Sequence, residues 1–295
     1  MRFYDELLVG AIDLHCHVDL EFSAAEPKRE PEAEWLVKAE AMGLRGVVLK
    51  SHWWPTVTAV PLILAATSTK VSLWSSVTLN ASAGGPNPCV VEAGAALGGK
   101  VIFLPTWGAL NDIQRRGFSH RLLSVYRDFS RLDNPGFVFT DDRGNLLPLG
   151  QEIVQYCKAK DLTLGTGHVS WQESLAFAQA AEQMGFKRLI LNHPLSDIIG
   201  APLDALQRAA ELGAFIETCW NQLAPGRMDS RELVSKLRVI GLGQVVASTD
   251  YFRPYSPSPP ELFRMFLGML HEGGLTREEI KQVACINPAR AMGLE

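Results

Sequence analysis

The sequence predicts an α/β fold: a (β/α)8 TIM barrel over residues 1–295 as a single domain, with a lid-like insertion over 108–147 after the fourth strand and an extra C-terminal helix. Three observations predict it. Short β-branched or apolar runs alternate with helical patterns along almost the whole chain. The runs number eight, and several helical segments end in glycine immediately before the next run, at Gly43, Gly185, Gly213 and Gly241. Strict alternation of this kind builds a parallel sheet, and eight strands close a barrel. A doubly wound open sheet is the competitor, but no Gly-rich dinucleotide fingerprint follows the first run.

Taken in order, the candidate strands are Ala11–Val18, Arg45–His52, Lys70–Leu79, Lys100–Trp107, Leu162–His168, Arg188–His193, Ala214–Asn221 and Gln244–Tyr251. Between them, helical spacing covers Glu32–Gly43, Val57–Thr67, Pro88–Gly98, Pro148–Asp161, Trp171–Gly185, Ala201–Gly213 and Ser230–Gly241. Apolar residues three and four apart, such as Leu175, Ala178 and Ala181, give these segments one buried face. The terminal glycines are helix stops. The long interruption Gly108–Leu147 holds a polar helix around Arg115–Arg127 and a turn at Asp141–Asn145. Lying after a strand, it would cover the barrel mouth as a lid. Pro254–Pro260 reads as a loop, and Thr276–Leu294 as the added helix.

Composition excludes several classes. With 28 Lys+Arg against 32 Asp+Glu, the net charge is −4 and the pI about 6.0. That balance argues against a nucleic-acid or anionic-membrane binder. Five cysteines without a CxxC pair read as reduced thiols, which points to a cytoplasmic protein. The start, MRFYDELLVG, lacks the apolar stretch of an export signal. The longest apolar segment, Ala59–Ala66, is far short of the ~20 residues of a span. The expected partner is a small molecule, with no nucleic acid and no membrane; a homo-oligomer is compatible with the reading.

The informative polar residues cluster by position. Of seven histidines, His15, His17, His52, His168 and His193 fall at the C-terminal ends of candidate strands, and Asp250 does so on the eighth. That rim is where barrels of this kind build active sites. Residues two apart share a strand face, so His15 and His17 project inward together while Leu14 and Cys16 face the helices. Two imidazoles on one strand, joined by His168, His193 and the Asp250 carboxylate, form a ligand set for one or two divalent ions. Zinc is favoured; manganese, iron or cobalt also suit such donors. His120 and His271 read as solvent-facing or capping residues.

HCH ending the first strand, GTGH ending the fifth, LNHP ending the sixth and STDY ending the eighth resemble the amidohydrolase superfamily, as does the C-terminal INPARAMGL. The resemblance implies that His15 and His17 bind a more buried metal and His168 and His193 a more exposed one. It makes Asp250 both ligand and proton acceptor. It also implies hydrolysis of an amide, lactone or ester bond of a small molecule by a metal-activated water, with Asp250 as general base. There is one departure. Many members carry a bridging lysine or glutamate at the end of the fourth strand, where VIFLPTW offers neither. On the second strand Lys50 and His52 share the inward face. Lys50 reads as a cation for an anionic substrate or as a partner of Asp13, ahead of an unusual bridging carbamate. His52 reads as a substrate contact or an extra ligand, and Glu217 as structural.

Five tryptophans, Trp53, Trp54, Trp107, Trp171 and Trp220, fall near the expected mouth and suggest an aromatic pocket wall, with Trp107 touching substrate. Arg253, three residues past Asp250, would hold a carboxylate or phosphate, against the commoner surface ion pair. Three alternatives stand beside the hydrolase. One is a metal-dependent non-oxidative decarboxylase, because relatives of this barrel use one metal for carbon–carbon cleavage. Another is a phosphoesterase of the polymerase and histidinol phosphatase type, disfavoured because Phe252 stands where such barrels carry a closing histidine. The third is a non-catalytic metal-binding barrel.

Overall fold

The computed structural model describes residues 4–19, 21, 30–125, 136–253 and 255–294. Eight strands run in chain order, each parallel to the next: β1 Ile12–His17, β2 Gly46–Lys50, β3 Ser72–Thr78, β4 Val101–Phe103, β5 Thr163–Gly165, β6 Leu189–Leu191, β7 Phe215–Cys219 and β8 Val245–Ser248. The ring closes where Cys16 and Tyr251 form a parallel bridge. His17 donates its amide to the Tyr251 carbonyl (3.0 Å) and Asp250 donates to that of His15 (2.8 Å). The molecule is the (β/α)8 barrel the sequence predicts.

Every strand is shorter than its apolar run. The overrun lies mostly at the C-terminal ends, where the chain leaves the ladder to form the rim. Gly167 shows why: its φ is +58°, and an added Cβ would lie 2.3 Å from the Leu104 carbonyl oxygen. Only glycine fits there, so the GTGH motif turns out of β5 instead of extending it.

Helices α1 (Glu32–Ala41), α2 (Ala59–Ala66), α3 (Pro88–Ala96), α4 (Leu110–Gln114), α5 (Phe118–Val125), α6 (Pro148–Ala159), α7 (Trp171–Met184), α8 (Leu203–Glu211), α9 (Ser230–Ile240), α10 (Pro259–Glu272), α11 (Arg277–Lys281) and α12 (Asn287–Met292) complete the described chain. Local signals account for their ends. In α7, Ser170 and Glu173 form a capping box and Gly185 ends the helix at φ +66°, while Ala178 and Ala181 are buried against the barrel. The expected helix Thr276–Leu294 is interrupted by a π-turn at Gln282–Ile286. Beyond it, buried Asn287 donates Nδ2 to the carbonyls of Leu242 (2.8 Å) and Val245 (2.6 Å). No described helix is long and apolar enough to cross a membrane.

The interior of the barrel holds Ile12, Leu14, Val48, Val101, Phe103, Ile190, Phe215 and Val246, packed on Ala289, Ala291 and Met292 of α12. Thr163 on β5 donates to the Ala291 carbonyl (2.8 Å). The last helix therefore stoppers the N-terminal end. Leu14 corrects the alternation argument, which sent it outward. The β1–β2 register slips between Asp13 and Cys16, so Leu14 and His15 together oppose Val48. Such a bulge aims two successive side chains at one face. Cys16 packs outside, as expected.

The insertion after β4 carries α4 and α5. Asp112 caps α5 by accepting from the amides of Phe118 (3.0 Å) and Ser119 (2.7 Å). The turn at Asp141–Asn145 is present, held by the Asn145 amide on Asp141 Oδ1 (2.9 Å). The expected helix ends at residues 126–127, outside the described residues.

Candidate metal centre

The residues the sequence singled out converge at the C-terminal end of the barrel. Imidazole centroids lie 5.1 Å apart for His15 and His17, 4.5 Å for His17 and His52, 6.1 Å for His52 and His168, 5.1 Å for His168 and His193, and 5.8 Å for His193 and His15. Five rings thus form a closed circle, nearly all of it buried. Asp250 completes the inner part, its Oδ1 3.2 Å from His15 Nε2 and 3.3 Å from His17 Nε2; those two nitrogens are themselves 3.2 Å apart.

This triangle has the dimensions of a coordination edge. Donors at about 2.0–2.2 Å from one ion, in tetrahedral or octahedral array, stand roughly 2.9–3.5 Å from one another. Hydrogen bonds at Nδ1 hold three of these rings, which leaves Nε2 as the nitrogen for an ion; on His15 that Nε2 also meets the Lys50 ammonium (2.9 Å), which an ion would displace. His15 Nδ1 donates to Glu217 Oε2 (3.1 Å) and His168 Nδ1 to Asp112 Oδ2 (2.7 Å). His17 Nδ1 lies 3.2 Å from Glu21 Oε1, and His193 Nδ1 lies 3.2 Å from Ser196 Oγ. Outer partners of this kind fix the tautomer and ring angle of metal-binding histidines.

Charge points the same way. Glu217, Glu21 and Asp250 touch the His15–His17 pair, and the ammonium of buried Lys50 stands against them. Three carboxylates against one ammonium make the surroundings of the pair rich in negative charge, which favours a divalent cation. Burial pushes the Asp250 and Glu217 carboxyls up, but the neighbouring imidazoles, His15 foremost, outweigh it: Asp250 ends below the usual range and Glu217 at about 2. Burial first, with neighbouring cationic groups adding to it, drives His52 well below 6.5 and His193 to about 3, so both rings are neutral at pH 7.

His168 and His193 border this site without joining the tight triangle. Among the described residues, neither belongs to a group of three donors that all lie within 4.8 Å of one another. The triples that do form are His15–His17–Asp250, His15–Glu217–Cys219 and His17–Glu21–His52. The last two contain the acids that hold the outer nitrogens of His15 and His17.

Other expectations change. Lys50 does not pair with Asp13. Its Nζ donates to His15 Nε2 (2.9 Å) and lies 4.7 Å above the Phe103 ring. Asp13 instead accepts from the Thr249 hydroxyl (2.6 Å) and from the amides of Thr249 and His15 (3.0 and 3.1 Å), so it clasps β1 to the end of β8. Lys50 is fully buried and lines no part of the cavity above, so it does not reach a substrate there directly. His52 does line that cavity; its Nδ1 meets Thr106 Oγ1 (2.9 Å). Glu217, read as structural, directly orients His15.

The cavity, about 730 Å³, opens over the ring of imidazoles and has no tryptophan in its wall. Trp107, 2% exposed, lies behind the ring and donates Nε1 to the His52 carbonyl (3.1 Å), so it supports His52 rather than touching substrate. Trp171 and Trp220 pack against the barrel–helix core, and Trp54 is 66% exposed. Arg253 lines the cavity, stacked over Phe252 (4.9 Å) and Tyr255 (5.7 Å), and no carboxylate among the described residues pairs with it.

The sequence reading missed Glu21 and Asp112. Both act from segments without strand or helix periodicity. Asp112 sits 56 residues before His168, with no motif linking them.

The comparisons agree with this geometry at the level of the fold. The chain resembles an amidohydrolase from Pseudomonas aeruginosa (12% identity, 98% of each chain covered, TM-score 0.61). It resembles the organophosphorus hydrolase of Deinococcus radiodurans (15% identity, 97% of this chain and 93% of that one, TM-score 0.58). It also resembles a 2,6-dihydroxybenzoate decarboxylase (10% identity, 97% and 99%, TM-score 0.56). These likenesses are of fold, an eight-stranded parallel (β/α)8 barrel. The chain belongs to DUF6282, a family of unknown function, whose model matches residues 10–217. No curated protein matches the sequence.

Proposed function

We propose that the protein is a metal-dependent hydrolase that cleaves an amide, lactone or ester bond of a small molecule. The observation that carries the reading is the triangle of His15 Nε2, His17 Nε2 and Asp250 Oδ1, with sides of 3.2–3.3 Å, in a buried site whose carboxylates outnumber its cation. His15, His17 and Asp250 would hold the ion, with His168 and His193 beside it. A divalent ion there would supply Lewis acidity for a carbonyl and bring a water's pKa down from 15.7 toward about 7.

The chain's own groups divide the remaining work. Asp250 Oδ2 accepts a hydrogen bond from Asn221 Nδ2 (2.7 Å), which fixes the carboxylate plane. With its pKa held low, the carboxylate is ionised at neutral pH and ready to take a proton from the attacking water and return it to the leaving group. His193 and His168, lining the cavity floor, lie where a carbonyl oxygen would gain charge. Replacing Asp250 by Asn keeps a short polar side chain at a position with φ +47°, which Asn tolerates. Asp250→Asn is expected to retain metal by elemental analysis and to lose roughly 10²–10⁴-fold in kcat. Full turnover in that variant would refute the assignment.

One observation favours a second reading. At the end of β4 the inward residue is Phe103, so that strand supplies no bridging ligand for a second ion, and Lys50 stands 2.9 Å from His15 Nε2. A one-ion centre also suits non-oxidative decarboxylation. Release of carbon dioxide from aromatic acids, with no hydrolysis across esters and lactones, would select it. The fitting ion is zinc, with manganese, iron or cobalt admissible, and the compartment in keeping with reduced cysteines is the cytoplasm.

A further inference from the structure

The cavity above the imidazole ring is basic although the protein as a whole carries −4. Among the described residues its wall holds five arginines and no lysine against the carboxylates of Asp197, Glu232 and Asp250; the arginines come from three separate segments, Arg115, Arg116 and Arg121 from the insertion, Arg227 from the loop after β7 and Arg253 from the loop after β8. Some are engaged in building the wall. Arg115 donates to the Asp197 carbonyl (3.1 Å), and Arg227 pairs with the Asp197 side chain. Arg121 comes from α5 and Arg253 from the β8 loop, two segments that meet where Phe118 and Phe252 lie 6.5 Å apart. Burial first, and then the charges of Arg253 and Arg227, lower the Arg121 guanidinium from its ordinary value, so the three share one field. Arg253, stacked on rings and paired with no carboxylate among the described residues, is placed to meet an anion that a ligand brings. A planar guanidinium fork matches carboxylate and phosphate oxygens two at a time, which lysine does not.

We propose that the substrate is a small anion whose carboxylate or phosphate group is gripped by Arg121 and Arg253, with Arg227 flanking, while its reactive bond points down to the His15–His17–Asp250 centre. This rests on the hydrolase reading for the reactive end only. The anion grip is a property of the mouth, and the two fail separately. Stacking of Arg253 on Phe252 and Tyr255 holds its guanidinium in place in advance, which lowers the ordering cost of the grip. The excess positive field at the mouth also draws an anion toward a cleft that the rest of the acidic surface would repel.

The test is calorimetric titration of the full-length protein, metal-free and zinc-loaded, with succinate, inorganic phosphate and neutral succinamide, alongside elemental analysis of bound metal. Saturable binding of succinate or phosphate, with none of succinamide, is expected in both forms. Binding of only one of the two anions identifies the substrate group as carboxylate or phosphate. Arg121→Gln and Arg253→Gln should each weaken it at least tenfold. Arg208→Gln, which removes a surface ion pair with Glu211, should leave it unchanged. The proposal is overturned if neither anion binds, if succinamide binds as well as succinate, or if both mouth variants bind like the parent. Arginine-dependent anion binding by a protein that takes up no metal would sink the hydrolase reading and leave this one standing.

Discussion

Two residues of the centre, His193 (φ +29°) and Asp250 (φ +47°), hold left-handed backbone conformations that side chains other than glycine adopt at a cost of order 1–3 kcal/mol. The cost persists because both ends of the chain at that point are pinned: Asp250 by its amide on His15 and by Asn221, His193 by its amide on Glu217 Oε2 (3.2 Å). The outer hydrogen bonds make a second prediction at this scale. Asp112 both orients His168 and caps α5, so Asp112→Asn should lower metal affinity or turnover by about 10–100-fold. Its fold should be only mildly weakened, since Asn remains a good cap. Competition with a chromogenic chelator reads the first effect and thermal melting the second; unchanged zinc affinity together with unchanged turnover would count against His168 as a neighbour of the ion. The HxH pair was legible because strand alternation is a rule of single residues. Leu14 was misread because a bulge suspends that rule for one step. Asp112 and Glu21 were illegible because contact across a fold leaves no periodic trace.

At the scale of elements, all eight strands and the helices between them could be read from apolar runs and glycine stops, since burial on both faces forces those patterns. Their ends could not. A run such as Leu162–His168 stays buried past Gly165 through Thr166 and His168 at the rim, although the ladder has already stopped there. The tryptophans failed for a related reason: nearness to a strand end does not say whether a ring faces the cavity or the supporting core. The C-terminal helix gives a stability prediction. Met292 is fully buried among barrel-interior side chains, so Met292→Ala should cost about 2–5 kcal/mol, seen as a lower midpoint in urea with an unchanged slope. A loss within ±0.5 kcal/mol would mean that α12 does not close the barrel.

For the whole molecule, the buried neutral imidazoles set the response to acid. His193 and His52 resist protonation in the folded state, His193 down to about pH 3, whereas the unfolded chain takes those protons near 6.5. A depressed histidine pKa therefore leaves stability intact above 6.5 and removes it as pH falls below, by about 1.4 kcal/mol per unit for each ring. Glu217 acts lower down. Held at about 2 against a usual 4.5, it contributes stability above 4.5 that is lost only toward pH 2. Urea unfolding of chelated protein should show stability declining between pH 7 and 5; a flat profile would contradict the burial of these rings. The stopper at the far end has a kinetic corollary. With side chains filling the barrel and Met292 and its neighbours sealing the opposite side, no passage leads through the strands, and whatever enters must back out by the same doorway. Spent product then competes directly with incoming reactant, so inhibition by product should be purely competitive and turnover should slow as the arginine-lined threshold clings to what it releases.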